Sequence, residues 1–221
     1  MKKYYEAYEE RYKTIHEKGF SWSSDVATPI VLKTIQKYGI KKDDDILEIG
    51  CGEGRDAKEL LSKGYNLFAT DISKEAINYC QTNDSKHKDC YQVLNCLDDE
   101  TNKQFDFIYA VAVIHMLVLD EDRNRFFSFI RKHLKETGIA LVCTMGDGIK
   151  EIKTDIKTAF DLQTRNHPSG PIEVAATSCR MVSFKTFEKE ILNAHLSIIE
   201  EGITESFPEF DKLMYAIIKL R

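Results

Sequence analysis

Long apolar runs are missing from this chain. No window approaches about eighteen consecutive apolar residues, the length a membrane-spanning helix needs, so no span is expected. The opening residues, MKKYYEAYEERYK, contain no apolar core of the secretory-signal type, and no such signal is expected. The six cysteines (Cys51, Cys80, Cys90, Cys96, Cys143, Cys179) form neither a C-x-x-C pair nor a zinc spacing. Several fall within predicted strands or helices, where cysteine behaves as a small buried hydrophobe. That usage suits a reducing compartment, and a cytoplasmic setting is expected. A positive excess is also lacking: a net charge of −5 and a pI near 5.7 argue against a general nucleic-acid binder. The histidines, at 16, 87, 115, 133, 167 and 195, are scattered, so no metal site is expected. No serine occupies a G-x-S-x-G elbow, which removes the usual hydrolase signature. Repeats, low-complexity tracts and linkers are absent, and 221 residues suit one domain with a sizeable core.

Strand and helix patterns alternate along what is there. Residues 2–18 are helical in pattern, with Tyr5, Tyr8, Tyr12 and Ile15 three or four apart, and Gly19 closes the run. That aromatic stripe reads as a packing face. With the loop Phe20–Ser24, which holds the only tryptophan, Trp22, it also reads as a lid of residues 1–24. A second helix covers 26–38, with Pro29 in its first turn and Gly39 at its end. Strands are expected at 46–49, 67–70, 90–94, 105–111, 139–144, 195–200 and 213–220. Helices are expected at 56–63, 74–81 (capped by Ser73), 123–135 (ended by Gly138) and from Ser183 to Asn193. The polar stretch 147–171 reads as irregular and partly helical. This alternation predicts an α/β fold with one doubly wound, mostly parallel sheet.

The stretch that organises the rest is ILEIGCGEGRDAKELLSKGYNLFATD, residues 46–71. An apolar strand breaks into a loop with glycine at 50, 52 and 54. A helix and a second strand follow, and the second strand delivers Asp71 at its tip. Glycines let backbone come close to a ligand, and the helix start presents free N–H groups beside it. A carboxylate at the end of the second strand is placed to accept from ribose hydroxyls. The dinucleotide fingerprint is G-x-G-x-x-G. Here the third glycine comes one residue early, which disfavours an NAD-linked oxidoreductase.

E-x-G-x-G-x-G followed by an acidic residue after the next strand resembles the S-adenosylmethionine (SAM) site of class I methyltransferases. Within that class the chain is similar to the small-molecule, tellurite-resistance-like branch, from about Asp25 to the C-terminus. The resemblance implies a Rossmann-like sheet of seven strands in order 3-2-1-4-5-7-6, with strand 7 antiparallel. It implies that Gly50, Cys51, Gly52 and Gly54 approach the methionine part and ribose, and that Glu48 reaches the methionine amino group. By the same pattern Asp71 takes the ribose hydroxyls, Ile72 lies against adenine, and Val111 stands beside the methionine moiety. The acidic residue that usually meets the adenine amino group is replaced by the stretch Leu94-Asn95-Cys96-Leu97. Asn95 through its side chain, or Cys96 or Leu97 through backbone, are the alternatives. Residues 147–182 match the variable insertion that builds the acceptor pocket in related enzymes. There Arg165, His167 and Arg180 are candidates for an anionic or polar acceptor, because guanidinium forks onto carboxylate or phosphate. Trp22 is the candidate on the lid side.

Methyl transfer from a sulfonium needs alignment more than acid–base chemistry. Where the acceptor carries a proton, His115, four residues past Val111, is the candidate base. The expected function is SAM-dependent methyl transfer to a small-molecule acceptor, with S-adenosyl-L-homocysteine as product and no nucleic-acid or membrane partner. A SAM-binding protein without turnover and a protein or RNA methyltransferase are the alternatives. Acidity and the lack of an N-P-P-Y-type motif count against the last. The expected state is monomer or homodimer.

Overall fold

The computed structural model describes residues 2–24, 26–204 and 212–221; Asp25, where the resemblance was expected to begin, lies outside them. Strands β1 (Ile46–Ile49), β2 (Leu67–Asp71), β3 (Tyr91–Val93), β4 (Phe105–Val111) and β5 (Leu134–Met145) form the parallel part of one sheet. Between β5 and the end of the chain lie four small strands, β6 (Ile152–Lys153), β7 (Leu162–His167), β8 (Gly170–Ala175) and β9 (Arg180–Met181). The main sheet is completed by β10 (Leu196–Ile203) and β11 (Leu213–Leu220), in the order β3-β2-β1-β4-β5-β11-β10. Strand β11 runs antiparallel to both its neighbours. The expected seven-stranded order and its antiparallel last strand are therefore present.

The sheet is covered on both faces, as its near-continuous apolar strands require. Alternate residues point to opposite sides. Leu47, Ile49, Ile108, Ala110, Ala140, Val142, Ala216 and Ile218 share one face with α5 (Asp120–His133) and α6 (Phe184–Asn193). Their neighbours Ile46, Phe107, Tyr109, Leu141, Cys143 and Ile217 share the other. They pack there against α2 (Pro29–Tyr38), α3 (Arg55–Ser62) and α4 (Lys74–Asn83). Local signals set the helix ends. Pro29 stands in the first turn of α2, Gly39 ends it with φ +66°, and the Ser73 hydroxyl accepts the Ala76 N–H at the start of α4.

Two expectations are corrected. Gly138 does not end α5, which stops at His133 and passes straight into β5. The pairing of β4 with β5 jumps from Phe105–Leu134 to Phe107–Ile139, so Gly138 sits inside an irregular strand. A Cβ there would lie 2.9 Å from the Phe105 carbonyl oxygen, and that close approach explains the glycine better than helix termination does. The stretch 147–171 holds one short 3-10 turn, but its main feature is the β7–β8 hairpin. Strand β7 is exposed along most of its length and so shows no apolar period to read.

The loop after β4 is fixed from below by Arg123. This buried guanidinium forks onto Glu190 of α6 (Nε–Oε1 and Nη2–Oε2, both 2.7 Å) and donates from Nη1 to the Ile114 carbonyl. Removing one partner of a buried pair costs roughly 3–5 kcal/mol. Glu190→Ala is therefore expected to lower the urea unfolding free energy by about that amount; a loss under about 1 kcal/mol, the range of exposed pairs, would show the pair to be peripheral.

Candidate active site

The glycine loop is held by the end of β2. Gly50 and Cys51 both donate to the Thr70 carbonyl, at 2.7 and 2.8 Å. Asp71 then clamps the loop to the start of α4: its Oδ2 accepts the Gly52 N–H and its Oδ1 the Ser73 N–H, each at 2.8 Å. Gly50 and Gly52 have φ of +73° and +54°, a region closed to most side chains. A Cβ at Gly50 would stand 2.4 Å from Val113, and one at Gly52 2.7 Å from the Tyr12 hydroxyl. Gly54 serves another purpose, packing the start of α3 against Cys80 and Tyr91.

A narrow cleft opens beside this loop. Its walls come from every element that ends there: Gly50, Asp71 and Ile72, then Leu94 to Leu97, then Val113, Met116 and Leu117. Tyr5, Tyr8 and Tyr12 close it from the N-terminal segment. Burial pushes the Asp71 carboxyl up from its ordinary value, while the Ser73 and Gly52 N–H groups pull it back. The Asn95 side chain turns back on its own loop, accepting from Leu97 N–H and donating to Asp98.

The cover is tied down at both ends. Helix α1 (Ala7–Glu17) lays Glu9 on the start of α4, where its carboxylate accepts from Ser73 Oγ and Glu75 N–H. Tyr4 Oη accepts the Val118 N–H and donates to Asp122. Glu53, buried within the glycine loop itself, accepts the N–H groups of Trp22 and Ser23 and faces His16 Nε2 at 2.9 Å. The β7–β8 hairpin adds His167. Its Nδ1 accepts from Ser169 N–H, so Nε2 donates to the Ser21 carbonyl, and its ring stacks on Phe20.

Of the residues expected from sequence, the cleft gathers Gly50, Asp71, Ile72, Asn95, Cys96 and Leu97. Gly52 lies directly behind, under Tyr12. Glu48 is buried on the α3 side, where burial and the Asp56 carboxylate push it well above the ordinary carboxylate range. Cys51 is buried beside Cys80. Val111 is buried in the sheet, and Val113, two residues on, supplies the wall. Trp22 and His167 meet in the cover, their rings 6.0 Å apart. Arg165 is exposed on β7, and Arg180 is bound to Asp120 at 2.6 Å, away from the cleft. His115 is buried beneath the loop after β4 rather than on the cleft wall. Sequence reasoning passed over Glu53, Val113, Met116 and Leu117. A second acid inside the G-C-G-E-G loop was the one available signal for Glu53.

Comparison with known proteins bears on this geometry. Residues 47–140, which run from β1 through β5 and include the glycine loop and Asp71, match a family model described as a methyltransferase domain. Over these residues the chain is similar to a methyltransferase domain. A ubiquinone biosynthesis O-methyltransferase of Rickettsia typhi is 33% identical over 104 residues, which are 45% of this chain and 40% of that protein. One from Rickettsia bellii is 29% identical over 120 residues, 52% and 48% of the two chains. The chain thus spans less than half the length of these curated relatives. Among solved structures, the methyltransferase CcbJ of Streptomyces caelestis superposes with a TM-score of 0.68 at 13% identity, over 96% of this chain and 98% of that one. A TehB-like SAM-dependent methyltransferase from Corynebacterium glutamicum gives 0.58 at 17% identity, over 98% and 97%. These two likenesses establish the fold. No helix among the described residues is long and apolar enough to cross a membrane.

His115 gives this domain a measurable pH dependence. Burial, with the charges of Arg123 and Arg11, pulls its pKa down from 6.5 to about 3. Between those values the unfolded chain holds one more proton than the folded one, so this group's contribution to stability falls as pH falls. At pH 5 the loss is about 2 kcal/mol relative to pH 7. His115→Gln is expected to flatten the denaturant-measured stability by that amount over this window. An unchanged slope would show that folded His115 titrates near its ordinary value.

Proposed function

We propose that this chain is a SAM-dependent methyltransferase acting on a small-molecule acceptor. The observation that carries the reading is the cleft itself. A loop with no room for a Cβ at Gly50 or Gly52 and a buried carboxylate at the tip of β2 meet an apolar, tyrosine-covered wall at one point. In this reading Asp71 holds the ribose hydroxyls, and Ile72 with the 95–97 loop receives the adenine. Gly50 and Gly52 let the methionine part lie against backbone. When bound, SAM supplies a methyl group activated on a sulfonium. The chain supplies position and dryness: the tyrosines of the N-terminal segment exclude water, and aligned reactants are worth roughly 7–11 kcal/mol in the best cases. The depressed basicity of His115 favours an acceptor that arrives ionised over one this histidine would have to deprotonate.

Residues 2–24 then form the cover and 147–182 the acceptor side, with Trp22 and His167 where the two meet. The names of the Rickettsia relatives, O-methyltransferases of ubiquinone biosynthesis, support a small organic acceptor. Six free cysteines support a reducing, cytoplasmic setting.

The cofactor test is thermal melting with SAM, S-adenosylhomocysteine and NAD in parallel, followed by calorimetry. At 100 times the dissociation constant a ligand adds about 2.7 kcal/mol. The first two are expected to raise the melting temperature by roughly 5 °C or more, and NAD to leave it in place. Losing a charge-assisted hydrogen bond costs about 1.5–3 kcal/mol, so Asp71→Ala should weaken SAM at least about tenfold. A melting shift with NAD alone, or full SAM affinity in the variant, would remove the reading.

A further inference from the structure

One ring joins three elements beside the glycine loop. His16 stands in the last turn of α1, with its side chain 10% exposed. Its Nε2 lies 2.9 Å from Glu53 Oε1 in the loop, and its Nδ1 2.8 Å from Glu75 Oε1 in the first turn of α4. A neutral imidazole has one N–H and can donate to one carboxylate; only the imidazolium donates to both. Glu53 depends on that charge more than Glu75 does. Its side chain is 1% exposed, against 29% for Glu75, and both its oxygens accept backbone N–H groups, from Trp22 and Ser23. A buried carboxylate held by neutral donors alone carries a desolvation cost, which a facing cation offsets. The Tyr79 ring of α4 lies flat on the imidazole, with centroids 4.4 Å apart and planes 16° from parallel, and an aromatic face favours a cation.

Other titratable groups surround this bridge. Tyr12 of α1 stacks on the far side of His16, 5.9 Å between centroids. Burial, with the charges of Asp71 and Glu53, pushes its phenol well above the ordinary value, so it stays neutral. Glu9 of α1 accepts the Glu75 N–H and pairs with Lys13, and Lys58 of α3 lies 5.4 Å from the Tyr79 ring. On the hairpin side His167 lies 6.0 Å from Trp22 and is bound to the Ser21 carbonyl. The loop and α4, which His16 joins to α1, are the same two elements that Asp71 clamps at the cleft. Helix α1 in turn carries Tyr8 and Tyr12 onto the cleft, and the Tyr12 hydroxyl comes down on Gly52. Loss of the ring proton would remove one of the two bonds and turn a nitrogen lone pair toward a carboxylate oxygen. It would also withdraw the cation from Glu53, the acceptor that holds Trp22 and Ser23.

We infer that His16 is a positioning residue whose imidazolium latches α1 over the cofactor cleft, so that the cofactor is held tightly while His16 is protonated and more weakly once it is not. This rests on the methyltransferase reading and adds to it a control of the same site by pH. A ligand that binds under the closed cover loses apparent affinity in proportion to the closed fraction.

Trp22 is the only tryptophan in the chain, and Glu53 holds its N–H, so acrylamide quenching of its fluorescence reports the latch without any cofactor. Histidine changes charge between about pH 6 and 8. Over that range quenching in the wild type is expected to rise, and S-adenosylhomocysteine affinity measured by calorimetry to fall at least about threefold. His16→Gln, which is uncharged at every pH, is expected to bind at the weaker level throughout and to show no pH dependence in either measurement. His16→Lys, a cation across this range, is expected to keep quenching low and affinity constant. Wild-type curves that are flat in pH would overturn the proposal. So would a pH dependence that survives in His16→Gln, as titration of His167 would produce. Should His16→Gln fail to fold, His16→Lys carries the test, and an affinity that falls with pH as steeply as in the wild type would count against the latch. Quenching that follows pH as expected, with no S-adenosylhomocysteine bound at any pH, would overturn the methyltransferase reading and leave the latch standing.

Discussion

The clamp made by Asp71 is the constraint on which the site depends. One buried carboxylate receives the Gly52 N–H from the loop after β1 and the Ser73 N–H from the start of α4. It thereby fixes two backbone turns against each other at the edge of the cleft. Its burial carries a desolvation cost, offset by those N–H groups. The residue that orders the loop thus also lines the cleft.

From that point the structure builds outward. Glu53, in the same loop, accepts from the backbone of Trp22 and Ser23, so the glycine loop and the N-terminal segment are tied together. Arg11 ties α1 to the end of β8, and His167 ties the hairpin to the segment after α1. The N-terminal helix and the 147–182 insertion, far apart in sequence, close over one place. The fold is shared with methyltransferases of very low sequence identity.

Much of this was legible in the sequence because the signals are local. The strand ILEI, alternate glycines, the Ser73 cap and an acid at the end of the next strand each act within a few residues, and their spacing gives the strand–loop–helix–strand unit; the sheet order is what the resemblance carried by that motif implies. What was not legible depends on contacts across the chain. Tyr5, Tyr8 and Tyr12 have helical spacing, which is equally that of a packing stripe and of a lid; only the fold shows which elements they meet, the loops after β1, β2, β3 and β4. Arg180 read as an acceptor ligand because its pairing with Asp120, sixty positions away, has no local signature. Gly138 read as a helix stop because nothing local announces an irregular strand. The β7–β8 hairpin escaped notice because a strand exposed on both faces carries no alternation.

The most direct test of the central claim is a crystal structure of the chain with S-adenosylhomocysteine. The account predicts both ribose hydroxyls on Asp71, at hydrogen-bond distance, and the adenine against Ile72 beside the 95–97 loop. It also predicts Tyr12 displaced by no more than the ligand requires and the Gly52–Asp71 bond retained. A ligand bound elsewhere, or a ribose with no contact to Asp71, would contradict it.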